Sequence, residues 1–337
     1  MVSDFPLVII AQKMYGGMNS FSFLAVPFFV ITGQLMLKGR LLELLIDFVN
    51  AMFGRFNGAI AMVTIGASLL MGSIVGLAVA AAASLGVFLI PMMKKEGYSP
   101  AFSAAVMSSA SLLGPIMPPS VLMILYCLAV GRTSIAGLFM AAIVPALLIS
   151  GAQIFVANRV AKRRGYIAHG KVDTREKIRA TKAAFPVLML PVIILGGIFS
   201  GVFTITEASA VAVLYSGILA VFVNKTVKLK DIPDIFIDAA STTGLVLLLA
   251  GAGSVMAWAI ANEQILNHII GPLSTLPWWV FLLLVNILLL VVGCFMDDYA
   301  SIVILAPIIA PVAWELGIDP LQDRKSTRLN SSHQPLS

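Results

Sequence analysis

Apolar residues fill the chain in long uninterrupted runs, and charge enters only between them. Nine runs carry no Asp, Glu, Lys or Arg: 14–37, 58–93, 97–131, 133–158, 183–206, 208–224, 239–262, 264–296 and 299–314. A helix rises about 1.5 Å per residue, so roughly 20 apolar residues cross a hydrocarbon core about 30 Å thick. The pattern predicts an all-α polytopic membrane protein. The runs are too many and too long for a signal peptide, and the first lacks a small-residue cleavage site. Between the first two, "RLLELLIDFVNAMFGRF" (40–56) sets Glu43 and Asp47 one turn apart on an apolar segment. That spacing predicts an interfacial helix with one wet face.

Two runs are broken inside. As one helix, 58–93 would reach roughly 54 Å, yet Gly66, Gly72, Gly76 and Gly86 punctuate it. One reading is a pair of arms joined by a non-helical tip at Gly72–Leu77, which includes Ser73 and Gly76. The other is a single tilted helix. In 97–131 the stretch "GPIMPPS" (114–120) gathers Gly114, Pro115, Pro118, Pro119 and Ser120 at mid-run. Each internal proline removes a backbone donor and costs a helix about 3 kcal/mol. Non-helical backbone survives at membrane depth only where protein buries it or water reaches it. Transporters use such breaks to offer half-helix N-termini to anions and free carbonyls to cations. A proline kink without a ligand is the alternative.

The chain also repeats itself. "IPMMKKEGYSP" (90–100) and "APVAWELGIDP" (310–320) share Pro91, Gly97 and Pro100 with Pro311, Gly317 and Pro320 at identical spacing. Glycines lie upstream of both, at Gly72 and Gly293. Weak internal symmetry of this kind is found in duplicated transporter folds, and an odd number of crossings between copies suits inverted topology. The second copy carries "CFMDDYAS" (294–301), where Asp297 and Asp298 interrupt apolar sequence on both sides. Intramembrane carboxylates are functional candidates, here for a hard cation such as Na⁺. The competing reading is an interfacial loop in which Asp298 or Ser301 caps the next helix. "TITEA" (204–208) has capping-box spacing at Thr204 and Glu207, with an ion-path carboxylate as the alternative.

Composition agrees with the pattern: 59% of residues are apolar and only 11% charged, with mean hydropathy +0.99. The net charge of +6 does not point to nucleic acid, because the basic residues gather beside apolar runs. Nine of them lie between Asn158 and Lys182, which the positive-inside rule makes cytoplasmic. Lys94, Lys95, Lys225, Lys228 and Lys230 fall on the same side. The 158–182 stretch could also bind anionic lipid. Cys127 and Cys294 stand alone in apolar surroundings, and the three histidines are scattered, so neither a metal cluster nor a His-based catalytic set emerges. GxxxxGK[ST], HExxH and GxSxG are all absent, which speaks against an ATPase or membrane protease.

Taken together, "FSFLAVPFFVITGQLM" (21–36), "PMMKKEGYSPAFSAAV" (91–106), "LLGPIMPPSVLMILY" (112–126), "GGIFSGVFTITEASAVAVLY" (196–215) and "VVGCFMDDYASIVILAPIIAPVAWELGIDP" (291–320) resemble the large membrane subunit of tripartite ATP-independent periplasmic (TRAP) transporters. The resemblance spans 5–322. It implies an inverted-repeat, elevator-type fold with helical hairpins and broken helices. It also implies sodium-coupled uptake of a small organic acid, such as a C4-dicarboxylate, sugar acid or 2-oxo acid. A periplasmic substrate-binding protein and a small membrane subunit are the implied partners, in a multi-pass inner-membrane protein with no cofactor beyond coupling Na⁺. Related broken-helix anion transporters that work without a binding protein are the nearest alternative.

By this resemblance, 1–57 holds a membrane helix and the interfacial helix of a scaffold. Residues 58–131 hold the first re-entrant hairpin and broken helix of the transport domain, and 132–262 the scaffold helices with the basic loop. Residues 263–322 begin the second repeat. Gly76 falls at the first hairpin tip, Gly114, Pro115, Pro118, Pro119 and Ser120 in the broken helix, and Asp297 in the second hairpin. Na⁺ is expected near Gly76, Gly114 and Asp297, with Ser73 and Asp298 beside them. Val75, Leu77 and Ala81 stand where the family usually has hydroxyl and acidic side chains, which weakens the expectation of sodium coupling. The polar stretch 323–337 looks like adapter sequence, and Met1 does not look like the natural start. The chain is therefore expected to be a fragment that does not transport alone.

Overall fold

The computed structural model describes residues 7–53, 58–75, 78–131, 133–166, 174–264 and 277–318. Among them every regular element is helical. Six stretches are long and apolar enough to cross a membrane: Phe21–Lys38, Ile135–Arg163, Thr174–Phe199, Ile205–Val223, Leu229–Asn262 and Asp298–Glu315. The pair Pro100–Ile116 and Val121–Val130, bent by 48°, makes a seventh if counted as one broken span.

The first run is divided where the pattern suggested one span. Helix α1 (Leu7–Met18) stops before Asn19 and Ser20, and a 3-10 turn (Phe21–Leu24) leads into α2 (Ala25–Lys38). Asn and Ser compete for backbone hydrogen bonds and favour helix ends. Pro27 sits in the first turn of α2, where a missing N–H costs nothing. Helix α3 (Leu41–Phe53) buries Leu41, Leu42, Leu45, Ile46 and Val49 along one stripe, as an amphipathic helix should.

Run 58–93 becomes two helices, α4 (Ala59–Val75) and α5 (Ala78–Lys95), which pack on each other. One tilted helix could not do so. The expected tip at 72–77 is too wide: α4 continues through Gly72 and Ser73 to Val75. Gly76 and Leu77, the expected ion-site tip, lie outside the described residues, as does the side chain of Ser73. Gly72 is therefore no turn residue, and its role emerges at the site below.

The chain divides into two compact units. In the larger, formed by Phe21–Met123 and Phe139–Gly244, a core of Ile60, Ile65, Met93, Val106, Leu113 and Ala157 joins α4, α5 and α6 (Pro100–Ser111) to α9 (Ile135–Arg163). Aromatic rings close its end. Tyr98 stacks on Tyr166 with centroids 4.0 Å apart, and Arg164 lies 5.4 Å over the Phe102 ring. Arg164 Nη1 donates to Ser99 Oγ at 3.1 Å, and the Ser99 N–H donates to Tyr166 Oη at 3.3 Å. That N–H, then Arg164, holds the Tyr166 phenol below its ordinary range, whereas burial pushes Tyr98 up to about 12. Elsewhere in this unit α3 packs on α10 (Thr174–Phe199), and α2 on α11 (Ile205–Ile218). Thr204 and Glu207 form a complete capping box at the head of α11, with the Thr204 N–H donating to Glu207 Oε2 at 2.8 Å. Glu207 is a helix cap.

In the other unit, α1 meets the second half of α12 (Ile232–Asn262) through small residues. A Cβ on Gly251 would lie 2.8 Å from Met14 Cγ, and Gly253 packs on Val303 of α14 (Asp298–Glu315). Helix α13 (Trp278–Gly293) packs against α14.

The repeat is visible in backbone detail. Helices α5 and α14 each have 18 residues, and Pro91 and Pro311 occupy the same position within them. Both end on a left-handed glycine, Gly97 at φ 83° and Gly317 at φ 74°. Tyr98 N–H donates to Met93 O at 3.0 Å, and Ile318 N–H to Ala313 O at 2.9 Å. Gly97 N–H and Gly317 N–H reach Lys94 O and Trp314 O at 3.1 and 3.0 Å. Both ends are Schellman caps, which need glycine because a Cβ opposes positive φ. In this register Asp297 of the second copy stands where the first has Leu77.

Candidate transport site at the broken helix

Helix α6 starts from a capped end, with Ser99 Oγ accepting from Phe102 N–H and Pro100 at the first helical position. It stops at Ser111. A single further turn, α7 (Leu113–Ile116), holds Gly114 and Pro115. The break therefore begins later than the proline count suggested: Gly114 and Pro115 are helical, and Met117 to Ser120 are not. Pro115 is tolerated because the N–H groups of a first turn have no intrahelical acceptor. At Met117 the backbone turns extended, with ψ 125°. Pro118 and Pro119 follow, joined by a cis peptide, and neither has an N–H to continue a ladder. Helix α8 (Val121–Val130) then starts afresh, with the N–H groups of its first turn lacking intrahelical partners.

Two features single out this break. Ser120, at the head of α8, is fully buried, and its hydroxyl has no hydrogen-bond partner among the described residues. A buried polar group left unmet costs about 1–3 kcal/mol, which makes Ser120 a candidate for binding a partner from outside the chain. The second feature is Gly72. A Cβ on it would lie 2.7 Å from Gly114 Cα, 3.0 Å from Leu113 O and 3.1 Å from Gly114 N. The hairpin arm thus touches the backbone of the break directly, and only a glycine allows the approach. One turn earlier on the same face of α4, Ser68 is likewise fully buried, with a hydroxyl that has no partner among the described residues. Neither Ser68 nor the true role of Gly72 was singled out from sequence. The spacing of four residues between them was the available signal.

At the second tip Asp297 is the N-cap of α14. Its Oδ2 accepts from Tyr299 N–H at 3.3 Å, and its carbonyl accepts from Ser301 N–H and Oγ at 3.0 and 2.9 Å. The cap is therefore Asp297 itself, not Asp298 or Ser301; the Ser301 hydroxyl donates backwards to it. Asp298 lies in the first turn, where a negative charge favours the helix dipole. Both carboxylates are exposed. Among the described residues no three His, Cys, Asp or Glu side chains are grouped to hold a metal. One further tie was missed from sequence: Gln153 of α9 donates to Ser109 O, in the last turn of α6, at 2.8 Å.

Several apolar helices long enough to cross a membrane, with a helix broken at a buried serine, define an all-α polytopic membrane protein. The chain belongs to the family described as "Tripartite ATP-independent periplasmic transporter, DctM component", whose profile matches residues 1–323. Relatives agree. The sialic acid TRAP transporter large permease protein SiaM of Vibrio cholerae is 38% identical over 313 residues, which cover 92% of this chain and 73% of the relative. The C4-dicarboxylate TRAP transporter large permease protein DctM of Pseudomonas aeruginosa is 38% identical over 314 residues, with coverage of 93% and 73%. The protein YgiK of Salmonella typhimurium is 41% identical over 321 residues, at 94% and 73%. The chain is accordingly a multi-pass protein of the bacterial inner membrane, a permease for solute uptake and not an enzyme.

Proposed function

We propose that this permease takes up a small carboxylate with Na⁺, receiving it from a periplasmic substrate-binding protein and working beside a small membrane subunit. The buried, partnerless Ser120 hydroxyl at the head of α8 carries the reading. Hard cations are held by hydroxyl and carbonyl oxygens, and a break frees carbonyls while the N-terminus of α8 favours an anion. The names of the relatives, sialic acid and C4-dicarboxylate permeases, support a carboxylate as the anion. Asp297 and Asp298 are proposed to serve at the second tip. For the motion we propose an elevator, with the hairpin and the broken helix as the moving part.

The test is uptake into proteoliposomes holding the permease as its gene encodes it, together with its small membrane subunit. Labelled dicarboxylate and sialic acid are offered with or without binding protein, under inward sodium or potassium gradients. Accumulation should require both sodium and a binding protein, and should need no ATP. Uptake that ignores sodium would remove the coupling, and uptake without a binding protein would favour an anion transporter acting alone.

A further inference from the structure

A charged patch that the transport site does not use lies at the end of α9, which the positive-inside rule makes cytoplasmic. Helix α9 carries Ile149, Ala152 and Val156 at the three- and four-residue spacing of one helix face. Opposite them α6 presents Phe102, Ala105 and Val106, and the two faces enclose a groove of about 500 Å³. Its two polar side chains are turned to backbone. Gln153 Nε2 donates to Ser109 O at 2.8 Å, and Ser109 Oγ donates to Val106 O at 3.1 Å. From Phe102 to Ser109 the groove runs roughly 10 Å at 1.5 Å per residue, about two-thirds of one leaflet's share of a ~30 Å hydrocarbon core. Ala105, Ile149, Ala152 and Val156 are exposed, so the groove is open along its outer side.

Cations of one sign stand at its mouth. The α9 stripe continues into Arg159 and Arg163, three and seven residues beyond Val156, and Arg164 lies 5.4 Å over the ring of Phe102. Arg164 is held there in advance by its bond to Ser99 Oγ at 3.1 Å. All three arginines are exposed, and none has an ion-pair partner among the described residues. We propose that groove and mouth together bind one anionic phospholipid, phosphatidylglycerol. Its phosphate meets the arginines, and one acyl chain lies along the groove. The order along α9 matches that of a lipid: an apolar length at membrane depth, then guanidinium groups at the boundary with water. Guanidinium meets phosphate through two parallel hydrogen bonds. Net charge sets the selectivity. Zwitterionic lipids carry the same phosphate, but their ammonium or choline group is repelled by the remaining arginines.

The experiment is native mass spectrometry of the full chain released from nanodiscs containing equal parts of phosphatidylglycerol, phosphatidylethanolamine and phosphatidylcholine. One phosphatidylglycerol should be retained in preference to the other two. Arg163→Gln should reduce that preference about tenfold, as expected for losing a hydrogen bond between charged groups. Arg175→Gln removes the same charge from an exposed position at the head of α10 and should leave the preference unchanged. Ala152→Phe fills the open side of the groove and should lower retention with every arginine in place. Both arginines and Ala152 are exposed, so all three variants should fold. Equal retention of the three lipids would overturn the proposal, as would an unchanged preference in Arg163→Gln or full retention in Ala152→Phe. An equal loss in Arg175→Gln would reduce the site to diffuse attraction and overturn it too. So would retention of no lipid by the wild type, the result expected if an acidic helix of a partner protein were the occupant.

Discussion

Gly72→Ala should lose at least about nine-tenths of uptake while the protein still inserts in the membrane. The added methyl would meet Gly114 Cα at 2.7 Å and the Leu113 carbonyl at 3.0 Å. Both belong to backbone, so no rotamer change relieves the clash, and α4 and the break must separate by several tenths of an ångström. Overpacking of this kind costs about 1–3 kcal/mol. Each 1.4 kcal/mol taken from the site's working geometry is about a tenfold loss in rate. Two companion variants separate this from the general effect of replacing glycine in a helix. At Gly66 the new methyl would meet Val49 Cγ1 at 2.8 Å, the end of a side chain that can turn away. At Gly86 nothing lies nearer than Ile90 Cδ1 at 3.6 Å. Uptake and thermal midpoint should therefore rank Gly86→Ala near wild type, Gly66→Ala between, and Gly72→Ala lowest. Wild-type uptake in Gly72→Ala would show that the hairpin arm and the break need not touch.

Asp297 offers the second large effect, because two substitutions divide its two duties. Asparagine caps a helix about as well as aspartate, whereas alanine costs about 1 kcal/mol. If Asp297 only caps α14, Asp297→Asn should transport like wild type and Asp297→Ala should merely be less stable. Under the proposed role at the second tip, Asp297→Asn keeps its thermal midpoint and loses most sodium-dependent uptake, since the charge is gone and the cap is kept. Thermal unfolding and initial uptake rates, measured on the same two preparations, settle the matter. Equal uptake in Asp297→Asn and wild type would leave Asp297 a cap alone.

Where charge and proline punctuate the chain, the fold was legible before any coordinates. Pro118 and Pro119 announced a break, and the Pro-Gly-Pro spacing pointed to a repeat whose two ends make the same pattern of Schellman hydrogen bonds. Thr204 and Glu207 announced a cap. Glycine was the ambiguous sign. Gly72 looked like a hairpin tip because glycine weakens helices, yet it serves close packing, and a sequence shows the missing Cβ without showing what approaches it. The start of the break was misplaced for a related reason: Pro115 occupies a first turn that tolerates it. Ser68 and Ser120 could not be told from ordinary membrane serines, most of which donate back to their own helix as Ser150 and Ser216 do. Only burial without a partner distinguishes them.

The claim that matters most is that the break at 117–120 is an ion site and not a dry kink. Its most direct test is the thermal midpoint of the purified chain as sodium replaces potassium at constant ionic strength, in wild type and in Ser120→Ala. A ligand that binds only the folded state stabilises it by RT ln(1 + [L]/Kd), and each kcal/mol raises the midpoint by roughly 1–2 °C in a chain of 337 residues. Wild type should gain about 2–4 °C in sodium over potassium, the effect of roughly 2–3 kcal/mol of binding. Ser120→Ala, which removes an unmet hydroxyl, should match or exceed wild type in potassium and gain little from sodium. Equal midpoints in the two salts for wild type, or an undiminished sodium gain in Ser120→Ala, would contradict the account.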